Sequence, residues 1–276
     1  MAGIGIPAAL GLVYLGGWFL AGTLAVLGLI GAYELYRMAH PQGIQPLEAP
    51  GLAGAALLPL ALFTALPAGF GVDPSWLLLC GALWIICVML VAMGTRAPER
   101  RPLTAVSITV FGALYAGGLP GFLLWIRHAP SIANAWAGTW LVFLPLAVTW
   151  ICDSLAMAGG AVFGGAKLAP VLSPKKTWAG AVSGLVGAVL AAVLYGHLIL
   201  PVAGIVVPIG ALVLVGLLIG TLGQAGDIAE SLFKREAGVK DSGGIFPGHG
   251  GVLDRLDSLY WGIPLTVLVL RIYGTI

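Results

Sequence analysis

The sequence predicts an all-α, polytopic integral membrane protein, and three observations predict it. Of 276 residues, 59% are hydrophobic and only 9% are charged, against roughly 25% charged in soluble domains. Mean hydropathy is +1.03. Apolar runs of about 18 residues or more, long enough to cross a bilayer, recur down the whole chain. This composition excludes a soluble protein with a large core. The net charge of +2 is too small to point to nucleic-acid binding.

Residues 4–38 are apolar for longer than one span needs, and Gly16-Gly17 divides them into a short segment, 4–15, and a full one, 18–38. No basic stretch precedes the first run and no cleavage site follows it, so a removable signal peptide is not expected. A Pro-rich polar link (His40, Pro41, Pro46, Glu48, Pro50) leads to runs at 51–70, 75–94 and 103–126. Asp73-Pro74 makes the first break between them, and the loop around Arg96, Glu99, Arg100 and Arg101 the second. Then come 137–163, a loop over 164–177 in which Pro174 sets a turn, 178–200, 203–225 and a last span over 257–273. That is nine membrane segments, or eight if the first does not span. We expect N-terminal membrane helices over 1–130 and a C-terminal membrane domain over 131–276 that carries the functional site. Cys80, Cys87 and Cys152 lie within apolar runs and are expected to be small core residues.

The charges are distributed unevenly. Loops after the second, fourth, sixth and eighth segments hold 11 of the 13 basic residues, leaving only Arg127 and Arg271 for the opposite side. The positive-inside rule then places these loops in the cytoplasm of a bacterial-type cell membrane. No internal repeat marks the two halves of a transporter.

Ten of the 24 charged side chains fall within residues 226–258. Asp227, Glu230, Ser231 and Lys234 are spaced i, i+3, i+4, i+7, so they share one face if the preceding span continues as a helix. Asp254, Asp257 and Ser258 repeat the first three spacings at the head of the last span. Two carboxylate faces that can converge, flanked by Lys234, Arg235, Lys240, Asp241 and Arg255, suit Mg²⁺ with a phosphorylated substrate. That ion takes one or two carboxylates and completes its octahedron with water and phosphate oxygens. Between the faces lies a glycine-rich turn, Gly248, His249, Gly250 and Gly251, whose backbone N–H groups can approach an anion. Charges at a helix end ordinarily form a solvated cap; the coincidence of all these features is what points to a site.

Two upstream features join them. Asp153 is the one charge in the run 135–166, and a carboxylate in mid-span costs about 3 kcal/mol of insertion free energy. The segment Ser173-Pro-Lys175-Lys176-Thr177-Trp178 offers two ammonium and two hydroxyl groups. It lacks the spacing of a nucleoside-triphosphatase phosphate loop.

The string from Ser231 to Asp257, S-L-F-K-R through K-D-S to P-G-H-G-G-V-L-D-R-L-D, resembles the signature of the phosphatidate cytidylyltransferases, or CDP-diacylglycerol synthases. The Ser173–Trp178 segment, Asp153 with its following glycines, and Tyr33-Glu-Leu-Tyr-Arg37 also resemble features of that family. The resemblance implies cytidylyl transfer from CTP to phosphatidic acid at the cytoplasmic face, within the lipid membrane. It implies Asp227 and Asp254 as Mg²⁺ ligands, with room for a second cation. Lys234, Arg235, Lys240 and Arg255 would bind phosphates, the Gly248–Gly251 turn would cradle phosphate or nucleotide, and His249 belongs to that set. Ser173, Lys175, Lys176 and Thr177 would form a second phosphate-binding wall. Asp153, Glu230, Asp241 and Asp257 would stand beside the metal. One position departs from the family, which has an acidic residue after the tryptophan where this chain has Ala179. A CDP-archaeol synthase, a CTP-dependent polyprenol kinase and a secondary transporter are the rival readings. A homodimer is compatible with the helices, but 42 glycines make small-residue stripes too common to mark an interface.

Overall fold

The structure, a computed structural model, describes residues 2–244 and 250–276. Among these residues the chain is helical apart from one two-stranded hairpin. In order it forms α1 (Ala2–Leu15), α2 (Gly17–Ala39), α3 (Glu48–Thr64), α4 (Pro74–Thr95) and α5 (Pro102–Ala113). A π-turn over Leu114–Gly118 joins α5 to the short α6 (Leu119–Gly121) and α7 (Leu123–Arg127). Next are α8 (Ala135–Phe163), β1 (Lys167–Ala169), β2 (Ser173–Thr177), α9 (Trp178–Leu198) and α10 (Ile209–Leu218). A second π-turn, Ile219–Gly223, leads into α11 (Gln224–Glu236), and α12 (Leu253–Ile272) closes the chain.

Among the described residues six helical stretches are long and apolar enough to cross a membrane: Gly17–Gln42, Pro74–Thr95, Pro102–Arg127, Ala135–Phe163, Trp178–Ala203 and Ile209–Glu236. With Ala2–Leu15, Glu48–Thr64 and Leu253–Ile272 they make up the nine expected segments. The fold is that of an all-α polytopic membrane protein. Many apolar side chains face outward: on α4 only Val88 and Ala92 are buried, while Leu78, Leu83, Met89 and Met93 are exposed. Such a surface is stable only against hydrocarbon or another apolar surface. Cys80 and Cys87 lie on that exposed face, and of the three cysteines only Cys152 is buried, because α4 packs through one narrow stripe.

Local chemistry sets the boundaries. Gly16 and Gly17 take φ of 58° and 51°, a region closed to most L-residues, and so separate α1 from α2. Asp73 caps α4 by accepting from Ser75 N at 2.8 Å, with Pro74 at the first helical position. Asn134 caps α8 through Ala137 N at 2.9 Å. Three expectations are corrected. The hairpin turn lies over residues 170–172, and Pro174 sits inside β2. The eighth segment starts at Ile209 rather than 203, because Pro201, Gly204 and Pro208 interrupt the chain. It then continues into the polar stretch as far as Glu236. The last helix begins at Leu253 rather than 257.

The chain packs as two compact units, neither continuous in sequence. One comprises residues 1–15, 126–232 and 256–276; the other comprises 16–125 and 233–255. In the first unit, α8 and α9 come close at glycines. A Cβ at Gly180 would meet Ala156 O and Gly160 Cα, and one at Gly184 would meet Cys152 O. Arg127, 6% exposed, donates from Nε to Val13 O and from Nη2 to Tyr14 O, both at 2.7 Å. It thereby satisfies carbonyls at the end of α1 that the helix leaves unpaired. In the second unit, Tyr36 donates to Thr109 O at 2.7 Å and Thr109 Oγ1 accepts from Leu47 N at 2.8 Å.

Gly28 on α2 packs on the backbone of Gly117 and Ala55, whereas Gly22 on the same helix has open space around its Cα. Gly28→Ala should therefore lower stability by about 1–3 kcal/mol, while Gly22→Ala should be neutral or stabilising. Thermal melting of the two variants in detergent checks this.

Candidate active site

The polar stretch divides between the two units, and each part forms its own constellation. In the first unit, the unbroken run of α10, π-turn and α11 carries Asp227 on the face with Glu230 and Ser231, as the spacing requires. The hairpin directs Lys176 onto this helix, where Nζ lies 2.5 Å from Asp227 Oδ2 with both side chains about a quarter to a third exposed. Asp153, on α8, carries an exposed carboxylate on which Asp227 and Lys176 are the charges that act. Gln224, one turn before Asp227, donates from Nε2 to Ala181 O at 3.1 Å and so ties α11 to α9. Gly226 backs directly onto the Trp261 ring and Asp257 O, which leaves no room for a side chain beside Asp227.

In the second unit the organising group is Asp254, in the first turn of α12. Oδ1 accepts from Lys234 Nζ at 2.6 Å. Oδ2 accepts from Ser242 N at 2.8 Å, Gly251 N at 2.8 Å and Ser242 Oγ at 2.9 Å. Both charged side chains are about nine-tenths buried. Gly250 takes φ +80°, and a Cβ there would strike the Asp254 carboxylate. Lys234 and the N–H donors of Gly251 and Ser242 thus surround the carboxylate and compensate its burial.

Sequence reasoning missed Glu34 as a member of this cluster. Glu34, on α2 and 3% exposed, accepts from Val252 N, Leu253 N and Ser242 Oγ, each at 3.0 Å. It thus supplies from another helix the anionic cap that the N-terminus of α12 lacks in its own sequence. Ser242 Oγ lies within hydrogen-bond distance of both carboxylates, which share its single proton. The signal was present, since an acid within an apolar run is as costly at Glu34 as at Asp153.

The other expected residues are distributed as follows. Thr177 is buried and caps α9, accepting from Gly180 N at 3.1 Å, so its hydroxyl serves the helix. Lys175, Lys240 and Arg255 are exposed, as is Arg235, whose Nη1 donates to Val239 O at 3.1 Å. Ser173 is half-buried, Glu230 and Ser231 are buried, and Asp257 Oδ1 accepts from Ser258 N at 2.6 Å. Asp241 is exposed. Gly248 and His249 lie outside the described residues. Ala179 presents only its carbonyl, which accepts from Ser183 Oγ at 2.8 Å.

Among the described residues no three His, Cys, Asp or Glu side chains gather into a metal cage. Asp153 and Asp227 with one lysine form an oxygen-rich set with negative charge to spare, which fits Mg²⁺ and a phosphate better than a metal held by protein alone. Asp254 fits as a ligand through Oδ1 only, since Oδ2 already accepts three hydrogen bonds.

A family model described as the cytidylyltransferase family matches residues 1–273. The chain belongs to that family. It is 33% identical to a phosphatidate cytidylyltransferase of Synechocystis, over 95% of this chain and 92% of the relative. It is also 33% identical to a chloroplastic phosphatidate cytidylyltransferase of Arabidopsis thaliana, over 93% of this chain and 68% of the relative. A Brucella abortus phosphatidate cytidylyltransferase is 36% identical over 74% of this chain and 68% of its own length.

Two outcomes test the Asp254 cluster. Glu34→Gln turns one acceptor oxygen into an N–H₂ facing backbone donors, and should destabilise the protein by about 1–3 kcal/mol, read as a lower melting temperature. Asp254→Asn should also melt lower than wild type at pH 7.

Proposed function

We propose that this protein is a phosphatidate cytidylyltransferase. It transfers the cytidylyl group of CTP to the phosphate of phosphatidic acid, giving CDP-diacylglycerol and pyrophosphate. The observation that carries the proposal is a pair of lysine-held carboxylates, Lys176–Asp227 and Lys234–Asp254, inside a lipid-soluble helical protein of the cytidylyltransferase family. The relatives' names supply the acceptor.

The chemistry suits these residues. A phosphatidate oxygen attacks the α-phosphorus of CTP, a new P–O–P linkage forms, and the bond to the β-phosphate breaks with its electrons leaving on pyrophosphate. The nucleophile is already an anion at neutral pH, so no side chain has to remove a proton. Positioning and charge neutralisation then dominate. Lys176, beside Asp227, supplies a cation at the phosphates, and exposed Lys175 on the same hairpin adds to that positive field. In the second unit Lys240 and Arg255 are the exposed cations proposed to bind phosphate. Asp227 and Asp254 are the proposed Mg²⁺ ligands, Asp153 supports Asp227, and Mg²⁺ when bound neutralises charge on the phosphate oxygens. Gly251 and Ser242 fix the Asp254 carboxylate by three hydrogen bonds, leaving Oδ1 as its adaptable oxygen. The bias of basic residues to alternate loops favours a cytoplasmic site, where CTP is available.

With CTP, phosphatidate and Mg²⁺ in detergent micelles, chelation should abolish CDP-diacylglycerol formation and added Mg²⁺ restore it. Asp227→Asn should fold normally and lose roughly 100-fold in turnover. Lys176→Ala should lose about 10–100-fold in kcat/KM, as expected for one charge-assisted contact. Near-normal turnover in Asp227→Asn would remove that residue from the metal site, and label from the γ-phosphate of CTP entering lipid would replace transfer with a kinase reaction.

A further inference from the structure

Within the second unit, a cavity of about 360 Å³ lies between the last turns of α2 and the segment 239–244. Its walls include Tyr33, Glu34, Arg37 and Met38 on one side and Val239 and Asp241 on the other. The volume is near the low end of small-molecule pockets, which run from roughly 300 to 1,000 Å³. It has room for a base and its sugar rather than a whole triphosphate.

The charges narrow the occupant. Glu34 is committed to Val252 N, Leu253 N and Ser242 Oγ, so it holds the wall rather than reading a ligand. Asp241 makes no hydrogen bond or ion pair with another described residue, and its carboxylate is exposed. Arg37 also has no ion pair among the described residues; its guanidinium lies over the Tyr33 ring, 5.8 Å from the centroid. With Glu34 taken up by its donors, Asp241 and Arg37 are the charges left to a ligand. One guanidinium beside a carboxylate is a poor match for a polyphosphate, and a charged pair is a poor match for an acyl chain. What remains is a neutral, planar group that offers a donor to Asp241, acceptors to Arg37 and a face to an aromatic ring.

We propose that this cavity receives the cytosine ring of the nucleotide, with Asp241 accepting from its 4-amino group and Arg37 donating to its O2 and N3 edge. Acidic side chains accept from the cytosine amino group elsewhere in base recognition. Uracil presents O4 to the same carboxylate and N3–H to the same guanidinium, which reverses both contacts. The cavity thereby distinguishes CTP from UTP. This assignment stands on the transfer reaction proposed above, because that reaction supplies the nucleotide.

Steady-state kinetics of the full-length protein in micelles with CTP and with UTP test it. The wild type should prefer CTP. Asp241→Asn, whose amide can donate to O4, should raise the KM for CTP about 10-fold and cut the CTP-over-UTP ratio of kcat/KM by about 10-fold or more, the scale of one charge-assisted hydrogen bond. The KM for phosphatidate should stay unchanged. Arg37→Gln should shift the same ratio in the same direction. If both variants keep the wild-type ratio, or if only the phosphatidate KM moves, the cavity does not read the base. A wild type that turns over CTP and UTP equally also overturns the assignment while leaving the transfer reaction standing. A wild type with no CTP turnover overturns the transfer reaction instead. Competition by cytidine and uridine monophosphates for labelled CTP, in wild type and Asp241→Asn, then judges the cavity separately: equal displacement by both in the wild type overturns it.

Discussion

The Asp254 carboxylate is the interaction on which the rest of the polar machinery depends. It is about nine-tenths buried in a protein whose surface is largely apolar, and Lys234, Gly251 and Ser242 surround it with donors. Removing one partner from a buried ion pair typically costs about 3–5 kcal/mol, because the other charge is left uncompensated. That penalty fixes more than two side chains. Lys234 ties the end of α11 to the start of α12, and Ser242 draws in the intervening segment. Through Ser242 and the first N–H groups of α12, Glu34 adds α2 to the same network. One unit thus acquires a rigid polar corner built from three distant stretches of chain.

The first unit solves the same problem with a looser pair. Lys176 and Asp227 are more exposed than Lys234 and Asp254, so water and ions screen them and their pairing is weaker. A weaker pair is easier to exchange for a phosphate or a metal ion, which a nucleotidyl-transfer site requires. The hairpin that carries Lys176 has no long apolar run to anchor it. It is held instead where Thr177 caps α9 and where the glycines of α8 and α9 bring those helices together. Close helix approach through small residues is the usual way to pack helices in lipid, where burial of apolar surface contributes little.

Much of the fold was legible because hydropathy in membrane proteins is a strong signal: the chain must satisfy its backbone within each segment or leave the membrane. Nine segments were countable, Gly16-Gly17 announced a break, and the i, i+3, i+4 spacing placed Asp227, Glu230 and Ser231 on one face. The limits appeared where polarity changes inside a continuous helix. Helix α10 passes through a π-turn into α11 without interruption, yet the change from apolar to charged residues read as the end of a span. Pro174 read as a turn former, although an edge position in a short strand tolerates proline equally well. Glu34 was noticed only within the Tyr33–Arg37 string, because its partners lie about two hundred residues later and sequence spacing carries no information about such contacts.

Composition and spacing alone therefore determined the membrane class and the run of apolar segments, since these follow from the cost of placing charge and bare backbone in hydrocarbon. Tertiary structure decided which charge meets which. It assigned Lys176 to Asp227 and Lys234 to Asp254, gave Thr177 to a helix cap, and brought Glu34 to the N-terminus of α12. Pairing of this kind depends on distances of about 3 Å between segments far apart in the chain, and only the packing of helices sets those distances.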